Sequence, residues 1–360
     1  MTVASSTAAP ELAQVNARAE PRNGSTRGVV TWLALCCLLV FAMVVVGGVT
    51  RLTHSGLSIT EWQPIVGTLP PLTPADWNEA FEKYQSSPEF REVNHAMTLA
   101  EFKGIFWWEY VHRLLGRVVG VAFLAPYMWF LARRRIPARF VWPLAGIFAL
   151  GAVQGVVGWL MVQSGLVDDP RVSQFRLTAH LGLAVAIFAG MLWIALSLAF
   201  PATNDASAEH TRSLRRFAKG LLALAFIMIL SGGLVAGIRA GFAYNTFPLM
   251  QGRLVPPDIL MLDPWWKNFF WNIATVQFDH RLIAWLLACG VALFWWRLHR
   301  SDASRRAKLC GNALLAMLAL QVSLGIATLV NVVPLPLAAL HQAGAVGVLA
   351  FAVSVAHALR

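Results

Sequence analysis

Apolar residues in this chain occur in long, nearly uninterrupted runs rather than at the short spacing of a soluble amphipathic helix. A helix needs about 20 apolar residues to cross the ~30 Å hydrocarbon layer of a bilayer. Only helices satisfy their backbone hydrogen bonds over such lengths in lipid, so each run predicts a transmembrane helix. Eight runs qualify: 29–50, 104–132, 140–163, 177–200, 217–238, 270–296, 309–332 and 335–358.

Two polar segments stand outside these runs. Residues 1–27 are rich in Ala, Ser and Arg and lack hydrophobic periodicity, so we expect a disordered tail. Segment 51–103 has Pro64, Pro70, Pro71 and Pro74 in its first half, followed by a polar stretch with helical character, and it is too long to be a mere connector. We expect it to form an ordered extracytoplasmic cap with one or two short helices.

Composition and charge agree with a membrane protein. The chain is 57% hydrophobic and only 13% charged, about half the usual charged share of a soluble protein. Its net charge of +11 does not indicate nucleic-acid binding, because the basic residues form short clusters between apolar runs. The clusters lie in the tail and in the 2/3, 4/5 and 6/7 loops, so the positive-inside rule predicts that both termini are cytoplasmic.

The chain also contains an internal duplication. Four landmarks recur in the same order: Gly47–Gly48 and Gly232–Gly233, EYVHRLLG and QFDHRLIA, QGVVGWL and QVSLGIA, TAHLG and ALHQA. Their offsets are 185, 168, 167 and 161 residues. This predicts an all-α polytopic protein of two pseudo-repeated four-helix bundles. The N-terminal half covers 28–200, a cytoplasmic linker covers 201–212, and the C-terminal half covers 213–360.

Four of the nine histidines lie in the outer portions of predicted helices, one on each even-numbered helix: His112, His180, His280 and His341. Under the predicted topology all four lie at a similar depth toward the outer face. Ionisable residues inside a bilayer are costly and usually functional. The other five differ, since His210, His299 and His357 lie at cytoplasmic ends, where we expect exposure to solvent or lipid headgroups, and His54 and His95 lie in the outer loop.

Two imidazoles on neighbouring helices of a bundle are a common means of holding a haem iron at its axial positions. A zinc site would require a third or fourth ligand, and no matching Cys or carboxylate occurs in both halves. A proton relay would not require duplicated pairs. The sequence therefore predicts a di-haem membrane protein.

One carboxylate breaks the repeat. Glu109 precedes His112 by three residues and shares its helix face, whereas the equivalent residue in the second half is Gln277. Glu109 is thus a candidate catalytic residue, as a general acid or base or as the stabiliser of a cationic intermediate. The alternative is an interfacial glutamate paired with Arg113 or with a loop lysine, and the pattern leaves both open.

These motifs together resemble the haem A synthase family, in its alphaproteobacterial and mitochondrial branch. The resemblance covers all eight predicted helices and rests on the stretches GGVTRLTHSGLSITEWQPIVGTLPPL, FWWEYVHRLLGRVVG, RLTAHLGLA, AGIRAGFAYNTFPLM, FDHRLIAW and LHQAGAV. The chain lacks the cysteine pair that some Gram-positive members carry in the first outer loop.

The resemblance implies an oxidoreductase that converts a ring methyl of haem O into the formyl group of haem A. It implies that His112 and His180 bracket the substrate haem, that His280 and His341 ligate a permanent haem b, and that Glu109 takes part in the oxidation. It further implies a protein of the bacterial inner membrane, surrounded by the lipid bilayer, which works alongside haem O synthase and cytochrome oxidase assembly. The electron donor or acceptor and a homo-oligomeric state remain open.

Two other functions fit parts of the pattern. A di-haem b-type electron carrier would use the same four histidines, but it would need neither the Glu109/Gln277 asymmetry nor a long cap. A transporter would also contain parallel repeats, but we expect its helices to be interrupted at corresponding midplane positions.

Overall fold

The computed structural model describes residues 23–63, 66–167, 170–201 and 212–360 of the chain. Most of the predicted tail (1–27) and of the predicted linker (201–212) therefore lies outside the described residues. The first helix begins at Asn23, inside the segment that the sequence assigned to the tail.

Eight long helices confirm the predicted transmembrane helices. Each is long and apolar enough to cross a membrane, and each matches one of the eight predicted runs. They are α1 (Asn23–Leu52), α4 (Leu99–Ala132), α5 (Ala138–Gln163), α6 (Gln174–Ala199), α7 (Arg212–Gly237), α9 (Ile273–His299), α10 (Arg305–Val330) and α11 (Leu335–Ala358). The chain is accordingly a polytopic, all-helical membrane protein.

Short helices form the predicted cap between α1 and α4. They are α2 (Pro74–Gln85) and α3 (Pro88–Glu92), and a further short helix, α8 (Asn268–Trp271), precedes α9. Thr73 and Thr98 begin α2 and α4 with capping boxes, in which the threonine hydroxyl accepts from the third residue of the helix. Aromatic side chains from α2 and the first turns of α4 form the core of this region: Trp77, Tyr84, Phe102, Phe106 and Tyr110. We call this end of the helix bundle the cap face.

The long helices form two equivalent four-helix bundles. In the first half α1 packs against α4 and α6, and α5 packs against α4 and α6. In the second half α7 packs against α9 and α11, and α10 packs against α9 and α11, which is the same arrangement. The halves meet where α6 packs on α7, α1 on α11, and α6 on α11. These pairings are those expected of two repeats related by a pseudo-twofold axis that runs between α6 and α11.

The first helix of each half ends in the same way on the cap face. Helix α1 ends at Leu52 and His54 follows with φ of 53°, whereas α7 ends at Gly237 and Arg239 follows with φ of 57°. Left-handed residues often terminate helices, but glycine is the usual choice because it has no Cβ to collide with the backbone.

The sequence suggested that His357 lies in solvent or among lipid headgroups, and this expectation is wrong. It is 1% exposed, packed edge-on against Trp193. Its Nδ1 lies 3.0 Å from Nη2 of Arg306 and its Nε2 lies 3.2 Å from the hydroxyl of Ser197. Because a guanidinium can only donate, Nδ1 accepts and the neutral ring donates through Nε2. The network joins α6, α10 and α11 at the face opposite the cap.

Candidate functional site

The four helix histidines lie on the cap-side portions of α4, α6, α9 and α11, as predicted. The imidazole of His180 is close enough to interact electrostatically with that of His112, and His341 interacts in the same way with His280. The structure thus brings the histidines together as two pairs, one in each half. All four side chains are partly exposed rather than sealed in the packing.

Each of these histidines lies against a glycine of a neighbouring helix. A Cβ built on that glycine would meet the imidazole. In the first half it would lie 2.8 Å from Nε2 of His112 at Gly47, and 2.8 Å from Cε1 of His180 at Gly158. In the second half it would lie 3.4 Å from Cε1 of His280 at Gly232, and 2.8 Å from Cε1 of His341 at Gly325. Contacts under 3.0 Å are essentially never seen for a real Cβ. At three of the four positions any larger residue would displace the ring.

A glutamine one helical turn before the glycine completes this arrangement on α5 and on α10. The side-chain amide of Gln154 donates to the backbone carbonyl of His180 at 2.9 Å, and that of Gln321 donates to the carbonyl of His341, also at 2.9 Å. In both halves the amide oxygen of the glutamine and Nδ1 of the histidine are buried without a hydrogen-bond partner. Such groups are costly unless a ligand or a small rearrangement satisfies them.

The other two histidines differ between the halves. Nδ1 of His280 lies 2.8 Å from the hydroxyl of Ser231 on α7. The residue equivalent to Ser231 in the first half is Val46, which cannot form this bond, and His112 has no hydrogen-bond partner among the described residues. A hydrogen bond to the second ring nitrogen fixes the tautomer and orientation of a metal-ligating imidazole. The histidine of the second half is therefore held more firmly.

The carboxylate of Glu109 is 2% exposed and fully hydrogen-bonded. Its Oε2 accepts from the hydroxyl of Ser58 at 2.7 Å and from the backbone N–H of Ile59 at 2.8 Å. Its Oε1 forms an ion pair with Arg113, at 2.6 Å from Nη2 and 3.0 Å from Nε. The arginine also donates to the backbone carbonyls of Ile59 and Glu61. Glu109 thus anchors the beginning of the cap segment above the first histidine pair.

The second half uses the same anchor with an uncharged residue. The amide of Gln277 donates to the backbone carbonyls of Ala240 and Ala243, and its oxygen accepts from Arg281 at 3.0 Å. Arg281 also donates to the backbone carbonyl of Tyr244 at 2.7 Å. The Glu/Gln asymmetry therefore changes the charge of the site and the direction of its bonds to the loop, while the bond from the neighbouring arginine is retained.

A second buried carboxylate lies in the cap near Glu109. Glu89 is 6% exposed and its Oε2 accepts from the hydroxyl of Tyr84 at 3.2 Å, while Asn94 donates to that hydroxyl at 2.7 Å. Burial raises the pKa of Glu89 to about 7, and the negative charge of Glu109 adds to the increase. The cap thus contains a carboxyl group that titrates near neutral pH.

The residues present fit a haem better than a bare metal ion. Within the described ranges no three His, Cys, Asp or Glu side chains come together as a metal site. Each half instead offers two imidazoles, glycines that leave room around them, and an unpartnered buried Nδ1. Paired neutral imidazoles in a helical bundle are typical axial ligands of haem iron. Sequence reasoning found the histidines but missed the glycines and glutamines beside them.

Comparisons with known proteins agree with this picture. Residues 30–353 match the model of the family described as cytochrome oxidase assembly protein. The chain is 58% identical to the heme A synthase of Nitrosospira multiformis, over 92% of this chain and 93% of the relative. It is 46% identical to that of Parvibaculum lavamentivorans, over 97% and 98% of the two chains, and 47% identical to that of Rhizobium etli, over 92% and 90%. The resemblance seen in the sequence is thereby confirmed, and the chain belongs to the cytochrome oxidase assembly protein family.

Proposed function

We propose that this chain is a haem A synthase, which oxidises one ring methyl of haem O to a formyl group. The relatives named heme A synthase align with it over nearly their whole length, so the proposal concerns the complete helical assembly. The observation that carries it is the repeated histidine pair, with a glycine against each ring and a carboxylate, Glu109, one helical turn before the first histidine of only one pair. The reaction is a four-electron oxidation of a single carbon through two hydroxylations, after which the geminal diol loses water; the electrons would leave through the haem of the other half to an acceptor outside the chain.

The two halves have different roles in this proposal. His280 and His341 would hold haem b, and when bound this haem supplies one-electron transfer. The hydrogen bond between Ser231 and Nδ1 of His280 supports a resident group in that half, because it fixes the His280 ring. His112 and His180 would bracket the substrate haem O. No equivalent bond restrains His112, which suits a site that must accept and release its haem. The boundaries 28–200 and 213–360 describe these halves.

Glu109 supplies the only negative charge in the hydrogen-bonded anchor of the first half. Oxidation of a methyl carbon develops positive charge, which a buried carboxylate stabilises far more than it would in water. Arg113 and the Ser58–Ile59 segment hold the carboxylate in one orientation. We therefore assign Glu109 a role in the reaction and also in positioning the cap segment over His112. The substitution by Gln277 in the other half retains the second role alone.

Topology and surroundings complete the proposal. Basic clusters at 133–135 and 305–308 lie on the face opposite the cap, so the positive-inside rule places that face, with both termini, in the cytoplasm. The protein would occupy the bacterial inner membrane and act alongside haem O synthase during cytochrome oxidase assembly.

A di-haem b-type electron carrier is a second candidate, favoured by one observation. Glu109 and Gln277 make equivalent contacts with Arg113 and Arg281, so the two halves are structurally more alike than the sequence suggested. Pigment typing separates the two functions. We expect membranes that contain the chain together with haem O synthase to yield haem A on extraction and chromatography. Haem B alone, with haem O left unconverted, would favour the carrier and contradict the proposed synthase.

A further inference from the structure

Three basic side chains meet on the cap face where the two halves join. Arg51 lies in the last turn of α1, His54 follows that helix, and Arg239 follows α7. Nη2 of Arg239 lies 3.2 Å from Nδ1 of His54. The two residues are separated by 185 positions, as are Gly47 and Gly232. They are thus equivalent positions of the repeat that touch each other, and their contact lies at the pseudo-twofold axis.

No described carboxylate forms an ion pair with this cluster, although Glu89 interacts with Arg239 at longer range. The salt bridges of the described residues involve Lys83 and Arg113, and none reaches Arg51 or Arg239. The side chain of Arg51 makes no hydrogen bond within the described part of the chain, and the side chain of Arg239 makes only the one to His54. The two guanidinium groups interact repulsively. Partial burial lowers the pKa of His54, and the charges of Arg239 and Arg51 lower it further. Like charges held together in this way are stabilised when an anion binds between them.

Nearby arginines are engaged differently. Arg113 donates to Glu109 and to two loop carbonyls, and Arg281 donates to Gln277 and to the carbonyls of the second-half loop. Their donors are used to hold the loops in place. Arg51 and Arg239 each have five N–H donors, and most of these have no hydrogen-bond partner among the described residues.

The backbone conformation of His54 and Arg239 adds to the free-energy cost of holding these basic side chains together. His54 and Arg239 both adopt positive φ, where a side chain is disfavoured and glycine is usual. Both positions nevertheless carry basic residues. Such a cost at two equivalent positions suggests that these side chains serve a function.

The cluster is adjacent to the first histidine pair. Arg51 follows Gly47 by four residues, so it lies on the same face of α1, about 6 Å nearer the cap. Gly47 is the residue that touches the imidazole of His112. The charge of Arg239 also acts on Glu89, which lies in the cap above the first half. Arg239 therefore reaches from the second half towards the site of the first.

We propose that Arg51 and Arg239, oriented by His54, form a binding site for the two propionate carboxylates of the haem held between His112 and His180. This inference rests on the proposed function. A carboxylate at the edge of a bilayer requires a cation or water, and the planar guanidinium group matches its two oxygens. One arginine comes from each half, so the substrate haem would be held by both repeats at once.

The test compares two ligands that differ only in these carboxylates. Purified protein with its second-half haem already bound is titrated with iron protoporphyrin and with its dimethyl ester, followed by the bis-imidazole absorbance of the additional haem. We expect the wild type to prefer the free acid. Arg51→Gln and Arg239→Gln should each reduce that preference by about tenfold, the usual effect of losing a charge-assisted hydrogen bond. The Lys variants at both positions should retain part of it.

Arg253→Gln serves as the matched control, because it removes one exposed positive charge from a cap-face loop without breaking any side-chain contact. Unchanged preference in the Arg51→Gln/Arg239→Gln double variant overturns the carboxylate site. Equal weakening for acid and ester also overturns it, since the arginines would then only shape the pocket. If preference is unchanged while co-purified anionic phospholipid falls, the cluster binds a lipid headgroup instead. A wild type that takes up no additional haem contradicts the proposed function itself.

Discussion

The glycine against His180 offers the sharpest test of the haem site. Replacing Gly158 by alanine puts a methyl group 2.8 Å from Cε1 of the imidazole, whereas ordinary van der Waals contact begins at 3.4 Å. The ring must therefore retreat by about 0.6 Å, which exceeds the ~0.5 Å within which a functional group must be held. Overpacking of this kind typically costs about 1–3 kcal/mol.

Gly155 provides a matched control on the same helix. A Cβ at that position meets nothing within 4 Å, so Gly155→Ala should be tolerated and should even stabilise the helix by up to ~1 kcal/mol. Both variants should be purified and titrated with haem, with the low-spin bis-imidazole spectrum and the amount of haem bound per protein as readouts. We expect Gly158→Ala to lose most of the first-half signal while Gly155→Ala retains it.

The same substitution can be made in the second half. Gly325→Ala places its methyl group 2.8 Å from Cε1 of His341 and should deplete the resident haem. If Gly158→Ala and Gly325→Ala both load haem with the wild-type spectrum, the rings are not held by these glycines and our assignment of the pairs as axial ligands is wrong.

Further predictions concern the other parts of the site. Glu109→Gln should keep haem bound, because the four histidines are unchanged, while haem A formed per loaded enzyme falls by at least ~100-fold; near-normal turnover would remove Glu109 from the reaction. Gln321→Leu should broaden the spectrum of the second-half haem by loosening His341, with no effect expected if the amide is only a packing group. Glu89 has a pKa of about 7 in the folded chain against 4.5 as a free side chain, so its neutral form is favoured by folding and stability should fall by up to about 3 kcal/mol as pH rises from 5 to 8. Glu89→Gln should lack that fall in thermal-unfolding scans, and parallel curves would refute it. A periplasmic reporter fused to the C-terminus should be inactive, and activity there would reverse the topology.

Much of the fold could be predicted from the sequence, because a helix that crosses a membrane requires a long run of apolar residues. Each long apolar run became a helix, and the repeat of Gly47–Gly48 at Gly232–Gly233 revealed the two halves. The histidines were found because an imidazole inside an apolar helix has few ordinary explanations. The glycines beside them lay within the same repeated stretches, so their recurrence could have been connected with the histidines.

Other features depend on tertiary contacts that no local pattern contains. Arg113 can pair with Glu109 because the two residues are four positions apart on one helix. The bonds of Glu109 to Ser58 and Ile59, by contrast, require the cap to fold back over α4. His357 lies in the last turn of its helix, where exposure is usual, yet Arg306 and Ser197 enclose it from two other helices. The meeting of His54 with Arg239 depends entirely on how the halves pack.

That last contact has a consequence for how the molecule could arise from duplicated four-helix units. In a dimer of identical units, a residue on the twofold axis meets its own copy. Two arginines there would both be donors and would repel each other, whereas His54 accepts what Arg239 donates. Two units that differ in sequence, here joined in a single chain, can place unlike residues at that point. The same freedom permits a glutamate at 109 and a glutamine at 277, so divergence of the joined units is what allows one half to specialise.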